Sequence, residues 1–285
     1  MAFLTIVPPA QEPVSLSDLQ TYARVSAACD NALLTSLITA ARDWAENFCE
    51  RAFIFQTKRL LMDFFPGYVD FKLAGQRVSS PFVSGSNAVL AGIRYAIVLP
   101  FPQVRSIASF TYQDANQDTQ TMVLGTNYNA DLDSQPARLT PPFGSMWPVA
   151  QVFTNAVKVD YVTGSAGTIP VSVTSGSAAL SAGFTFLPRD VGSPITIPGA
   201  GAPNGSVPTD LVTSIAAVSS SGVATLAAVA GAAVSTTTTF GAVPEMVKTA
   251  IKALATYWYE NRIPDTAQVP DGIKAMLYPY RDQRL

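Results

Sequence analysis

The clearest alternation of apolar and polar positions runs from Asp30 to Arg51. Leu33, Leu34, Leu37, Ile38, Ala41, Trp44, Ala45 and Phe48 recur at helical spacing as one wide stripe, and Arg42, Asp43, Glu46 and Asn47 fall on the other side. The spacing predicts a helix over 30–51 with Asp30 as its cap. Ahead of it, Ser15 with Asp18 three residues on has the form of a capping box, opening a shorter helix over 15–24. Near the other end, Pro244 suits a first helical turn and Glu245 suits the positive end of the macrodipole. Val247, Ile251, Leu254 and Trp258 then form a stripe flanked by Met246, Ala250, Ala253 and Tyr257, with Lys248, Lys252 and Glu260 outside it. This gives a helix over 244–261, ended before Pro264, and Asp271 to Tyr280 suits a last short one.

Between these ends the period changes. Phe55 to Phe65, Ala96 to Phe101, Val104 to Tyr112, Thr119 to Leu124 and Ala156 to Val162 are strand-like runs, and Asp114 to Asp118 is a polar hairpin loop. Phe82 to Gly92 and the stretch from Thr140 to Pro148 read as loops. A break follows: residues 168–241 contain Arg189, Asp190 and Asp210 as their only charges and no Lys, Trp or Tyr. Runs such as Val171 to Thr174, Pro194 to Pro198, Leu211 to Val218 and Val223 to Ala227 predict a small all-β module inserted between strand and helix. The expected fold is α+β: residues 1–167 and 242–285 form a core whose helices come from both chain ends, and 168–241 form the insertion.

Composition narrows the function. The 285 residues include 18 Lys+Arg, 20 Asp+Glu and no His. Without imidazole, Ser-His-Asp and Cys-His catalysis and HExxH zinc sites are excluded. A net charge of −2 supplies no global field for wrapping a polyanion. Charged residues are 13% of the chain, about half the usual quarter, which favours buried contact surface over catalysis. The longest uncharged run, between Asp210 and Glu245, is broken by Ser219-Ser220-Ser221-Gly222, Gly231 and Ser235 to Thr239, which suit strands and turns rather than a membrane span. Residues 1–23 hold two acids and no Lys or Arg, so the basic start of a signal peptide is missing. Cys29 and Cys49, at opposite ends of the long helix, would be about 30 Å apart and read as free buried thiols of a protein made in the cytoplasm.

Several segments invite a chemical reading. Gly199-Ala200-Gly201 lacks the Lys, third glycine and following helix of a phosphate loop and reads as a turn. Asp131-Leu132-Asp133 could offer two carboxylates to Ca²⁺, but lacks the glycine and distal Glu of a calcium loop and reads as a solvated edge. Tyr257, Trp258 and Tyr259 could stack on a sugar or base, yet their helical spacing favours core or interface. Lys248 and Lys252 could touch phosphate, and a solvated helix face accounts for them better. No catalytic, cofactor or metal residue stands out.

The order of segments carries more information than any of them alone. Pro13-Val14-Ser15-Leu16-Ser17-Asp18-Leu19-Gln20 and Tyr22-Ala23-Arg24-Val25 precede the long helix with Ala40-Ala41-Arg42, and Arg51-Ala52-Phe53-Ile54-Phe55-Gln56-Thr57 follows it. Leu99-Pro100-Phe101-Pro102-Gln103-Val104, Phe110-Thr111-Tyr112-Gln113-Asp114 and Pro136-Ala137-Arg138-Leu139 come next. Asn155 to Gly164 and Trp258-Tyr259-Glu260-Asn261-Arg262 complete the series. This succession resembles the head–tail connector (adaptor) family of tailed bacteriophages and prophages over nearly all of 1–166 and 243–285.

The resemblance implies a structural virion protein, not an enzyme and without cofactor. It would form a ring, typically dodecameric, of identical subunits in the neck beneath the portal protein. Such a ring continues the channel for genomic DNA, without sequence-specific contacts, and offers a surface to neck or tail-completion proteins; no membrane is involved. By the same resemblance the C-terminal segment reaches the portal, which assigns docking to Tyr278, Tyr280, Arg281, Arg284 and Leu285. Trp44, Phe48, Val247, Ile251, Leu254 and Trp258 are the expected helix-packing or subunit-interface residues. Residues 168–241 depart from the family, whose members usually join the flanking segments by a short link. Two other readings compete: a carbohydrate-binding or carbohydrate-degrading tail protein, suggested by the β module and the aromatics, and a tail-completion protein lower in the neck.

Overall fold

A computed structural model of the chain describes residues 2–26, 30–66, 95–151, 153–202, 209–261 and 269–282. The architecture is α+β, and its contacts divide it into two units. One comprises Met1–Val7, Thr57–Pro100 and Ser106–Val162, the other Pro8–Gln56, Phe101–Arg105 and Thr163–Leu285.

The first unit is built on a five-stranded sheet of β1 (Ala2–Val7), β2 (Gln56–Met62), β8 (Val157–Thr163), β4 (Val104–Gln113) and β5 (Thr119–Thr121), in that spatial order. A three-stranded sheet orders β3 (Ile97–Val98), β7 (Arg138–Thr140) and β6 (Asn129–Asp131). β2 and β8 alternate buried and half-buried positions over their whole length, so Leu60, Met62, Val157, Val159 and Tyr161 share the buried side. Phe65 stacks on Trp147 at 5.2 Å, and the Trp147 indole donates to the Tyr95 carbonyl at 2.6 Å, pinning an otherwise irregular loop. The β4–β5 hairpin closes as expected at Asp114 to Asp118. Asp114 accepts from the Gln120 amide at 2.8 Å and from the Asn116 and Asp118 backbone amides at 2.9 and 3.0 Å. Those donors hold its carboxyl below the ordinary range.

β1 belongs to no predicted run. It pairs antiparallel with β2, Leu4 opposite Arg59 and Thr5 opposite Lys58, and a bulge then sets Val7 opposite Thr57. All six of its residues are exposed.

The second unit contains α1 (Leu16–Ala23), α2 (Asn31–Cys49), α3 (Glu245–Glu260), α4 (Asp271–Leu277) and a 3₁₀ turn, Tyr278–Tyr280. Ser15 caps α1 as the sequence indicates, its hydroxyl accepting from the Asp18 amide at 3.1 Å. Asp30 does not cap α2. Its carboxylate instead accepts from the Tyr259 hydroxyl of α3 at 2.5 Å, tying the two ends of the chain together. Leu34, Ile38, Ala41, Ala45 and Cys49 of α2 are buried with Val247, Ala250, Ile251 and Leu254 of α3 in one core.

The same unit holds a closed barrel in the spatial order β10-β13-β12-β11-β14-β9, formed by β9 (Gly167–Val173), β10 (Ala179–Ala182), β11 (Pro194–Ile197), β12 (Leu211–Val218), β13 (Ala224–Leu226) and β14 (Val234–Phe240). β9 and β14 pair along their whole length, from Gly167 opposite Phe240 to Val173 opposite Val234. Ile169, Val171, Val173, Ile195, Ile197, Ile215, Leu226 and Phe240 fill the interior. Closure leaves no strand edge, which lets Ser and Thr occupy the outer positions without charges to guard them. The long uncharged run is therefore strands, and no helix among the described residues is long and apolar enough to cross a membrane.

Candidate functional site

The residues expected to dock a portal meet two of those expected to pack helices. Trp44 and Phe48, one turn apart on α2, stack with centroids 5.1 Å apart. Tyr278 sets its edge against Phe48 at 5.6 Å, and the Arg281 guanidinium lies 5.5 Å from the same ring. The Asp282 amide donates to the Cys49 carbonyl at 2.9 Å, so the chain beyond α4 is fastened to the last turn of α2. Tyr278 and Arg281 remain exposed, whereas Tyr280 is half-buried against the helical core. Arg284 and Leu285 lie outside the described residues, as does Cys29. Val247, Ile251 and Leu254 are fully buried within their own chain, and Trp258 is half-buried against the same core.

The C-terminal end of α2 is organised by a charge network on the side away from the apolar stripe. Arg42 and Glu46 are both buried. Arg42 donates to Glu12 at 2.8 Å and to Glu46 at 2.9 Å. Burial works against the Arg42 charge, but Glu46, Glu12 and Asp43 together raise its pKa above the ordinary value. Glu46 also accepts from the Phe53 amide at 2.7 Å and the Gln56 side chain at 2.8 Å, so one carboxylate sets the direction of the chain after the helix. Cys49 is buried at this end, and burial pushes its thiol up to about 12, the behaviour of a small hydrophobe.

A second buried pair has no counterpart in the sequence reading. The Arg105 guanidinium contacts Asp190 at 2.5 Å and donates through Nε to the Gly164 carbonyl at 3.2 Å. Its side chain is 5% exposed and that of Asp190 2%. Phe55, Phe184 and Phe240 surround the guanidinium, with centroids 5.2, 5.6 and 5.2 Å away. Asp190 also accepts from the Leu187 amide at 2.8 Å, and Arg189 donates to the Val104 carbonyl. Two of the three charges of 168–241 thus anchor the barrel to Val104 and Arg105, the first residues of β4. Their isolation in an uncharged stretch was the available signal. Gly167 belongs to the same box: a Cβ there would lie 2.5 Å from the Phe55 ring.

The remaining candidates resolve into local structure. Gly199 has a φ of +73° and gives its amide to Asp210 at 3.1 Å, while a Cβ on Gly201 would sit 2.4 Å from the Thr209 hydroxyl, so these glycines serve a tight turn. Asp131 accepts from the Ser134 hydroxyl at 2.6 Å and Arg138 at 2.7 Å, and these bonds hold its pKa down to about 2. No group of three or more potential metal ligands occurs among the described residues. Lys248 pairs with Glu245 at 2.8 Å, and Lys252 sits 5.7 Å from the Tyr22 ring.

No protein-family model matches the chain, and no curated protein matches it. Its fold is nevertheless shared with chains in phage-like particles. It is similar to a chain in the virion of a native gene transfer agent particle, at 13% identity and a TM-score of 0.52. It is also similar to chains in the neck of an empty gene transfer agent particle computed with C6 symmetry (15%, 0.52) and the neck of a native one computed with C12 symmetry (14%, 0.50). In each comparison the match covers 100% of this chain and 97% of the other, so the likeness takes in the helices, the sheets and the barrel alike.

Proposed function

We propose that this chain is a structural subunit of a virion neck: a ring-forming head–tail connector that docks beneath a portal, continues the DNA channel and presents a surface to neck or tail-completion proteins. The observation that carries this reading is the whole-length likeness to chains of two neck assemblies, computed with C6 and C12 symmetry. The order of segments in the sequence points the same way independently. In this reading Tyr278 and Arg281, exposed beside Trp44 and Phe48, form the base of the portal contact, and the chain after Asp282 extends it. Residues 168–241 act as a surface module whose barrel wall faces a neighbouring subunit, the capsid or the tail.

Electron microscopy of the purified protein with and without its portal tests the reading. Rings that form with the portal and co-purify with it are the expected result. A chain that stays monomeric and never joins the portal overturns it.

A further inference from the structure

A ring repeats one heterologous contact, so each copy needs two different surfaces that fit one another. The helical stripes do not supply them, because Val247, Ile251 and Leu254 are consumed inside each chain. The five-stranded sheet has two unlike edges. At one edge lies β1, with Leu4, Ile6 and Val7 51%, 40% and 53% exposed. Among the described residues only β2 pairs with it. Its sequence, Ala2-Phe3-Leu4-Thr5-Ile6-Val7, holds no charge and no proline, the usual means by which soluble chains blunt an edge. At the other edge β5 covers only the end of β4, pairing with Thr111 to Gln113, and the Met122 amide reaches Phe110. Ser106, Ile107, Ala108 and Ser109 of β4 are left without a strand on that side among the described residues. They too are uncharged, and all but Ile107 are exposed.

We infer that the occupant of each edge is a second copy of this chain: β1 of one subunit pairs with Ser106–Ser109 of the next, carrying the sheet from copy to copy. The inference rests on the ring reading above and names the contact that closes the ring. Four open residues at about 3.3 Å each give roughly 13 Å of ladder, which β1 is long enough to span. Main-chain hydrogen bonds supply the register-independent part of such strand addition, and Leu4, Ile6 and Val7 supply the apolar part. The contact is heterologous because the two edges differ in sequence, as ring closure demands.

The test is made on the full-length protein with portal, reading the ring fraction by native mass spectrometry and by electron microscopy. Leu4→Lys and Ala108→Lys should each lower the ring fraction at least tenfold at fixed concentration while leaving the monomer's thermal midpoint unchanged. Leu4→Lys with Ala108→Glu should restore part of it, and Leu4→Lys with Ala108→Lys should not. Should either lysine variant fold poorly, Leu4→Cys combined in turn with Ser106→Cys, Ile107→Cys and Ala108→Cys gives an independent reading. At least one pair should yield a disulfide-linked oligomer ladder on a non-reducing gel, and the single cysteine variants should not. Wild-type rings that both lysine variants leave intact, with no ladder from any pair, overturn the pairing alone. A strand from another protein on β1 would give rings that tolerate Ala108→Lys, which also overturns it. Wild-type protein that never forms rings overturns the ring reading and the pairing together.

Discussion

Substituting Asp190 by Ala removes the only ion-pair partner that Arg105 has among the described residues. Arg105 would keep one carbonyl bond, from Gly164, and three aromatic faces, but its charge would stay 5% exposed. Breaking a buried ion pair from one side costs about 3–5 kcal/mol. The Leu187 amide also loses its acceptor, which adds about 1 kcal/mol at a half-buried site. These terms overlap, and we take about 4 kcal/mol as the expected loss. At a urea slope of about 3 kcal/mol/M, the unfolding midpoint should fall by about 1.3 M.

The double variant Arg105→Met with Asp190→Ala removes both charges and leaves an apolar side chain among the three rings. It should recover most of the loss, with a coupling of about 3 kcal/mol in the cycle built from wild type, both single variants and the double. Urea unfolding followed by far-UV circular dichroism on all four proteins measures it. A coupling below about 0.5 kcal/mol would refute the claim that this pair anchors the barrel.

Two further outcomes follow from the titrations. Asp131 is held at about 2 when folded, against an ordinary 3.8, so its contribution is present above pH 3.8 and disappears as pH falls through about 2. Its side chain is 39% exposed, so screening keeps that contribution to about 1 kcal/mol; the urea midpoints of wild type and Asp131→Asn should differ at pH 5 and converge near pH 2, and a constant difference would contradict the assignment. Cys49, raised to about 12 by burial, stabilises the fold below pH 9, and that contribution is lost as pH rises from 9 towards 12. In a Cys29→Ser background, Cys49 should resist a thiol reagent at pH 8 until urea unfolds the protein, and rapid labelling of the folded chain would show the burial to be wrong.

The helices were legible because their stripes are long and regular: Leu34, Ile38 and Ala41, like Val247, Ile251 and Leu254, are buried as their period requires. The polar side of α2 was not. Arg42 and Glu46 stand on the side away from the apolar stripe, where periodicity names no partner. What buries them is a set of partners, Glu12, Phe53 and Gln56, brought in by the fold. The barrel's alternation was visible, but closure depends on β9 meeting β14 across more than sixty residues, a pairing that no local pattern encodes. β1 carries too little alternation to mark it as a half-buried strand, since Thr5 alone interrupts five apolar residues. Of the candidate docking residues, Tyr278 and Arg281 came from family resemblance; their meeting with Trp44 and Phe48 is tertiary.

The full-length pairing of β9 with β14 also makes the barrel a removable cassette. Gly167 and Phe240 face each other across one strand spacing, about 5 Å, so whatever lies between them leaves its root geometry unchanged. A foreign domain with adjacent termini could be grafted at that root, or a short turn could close it. In either case Arg105 would have to become apolar at the same time, because the graft would not bring the carboxylate that this barrel supplies.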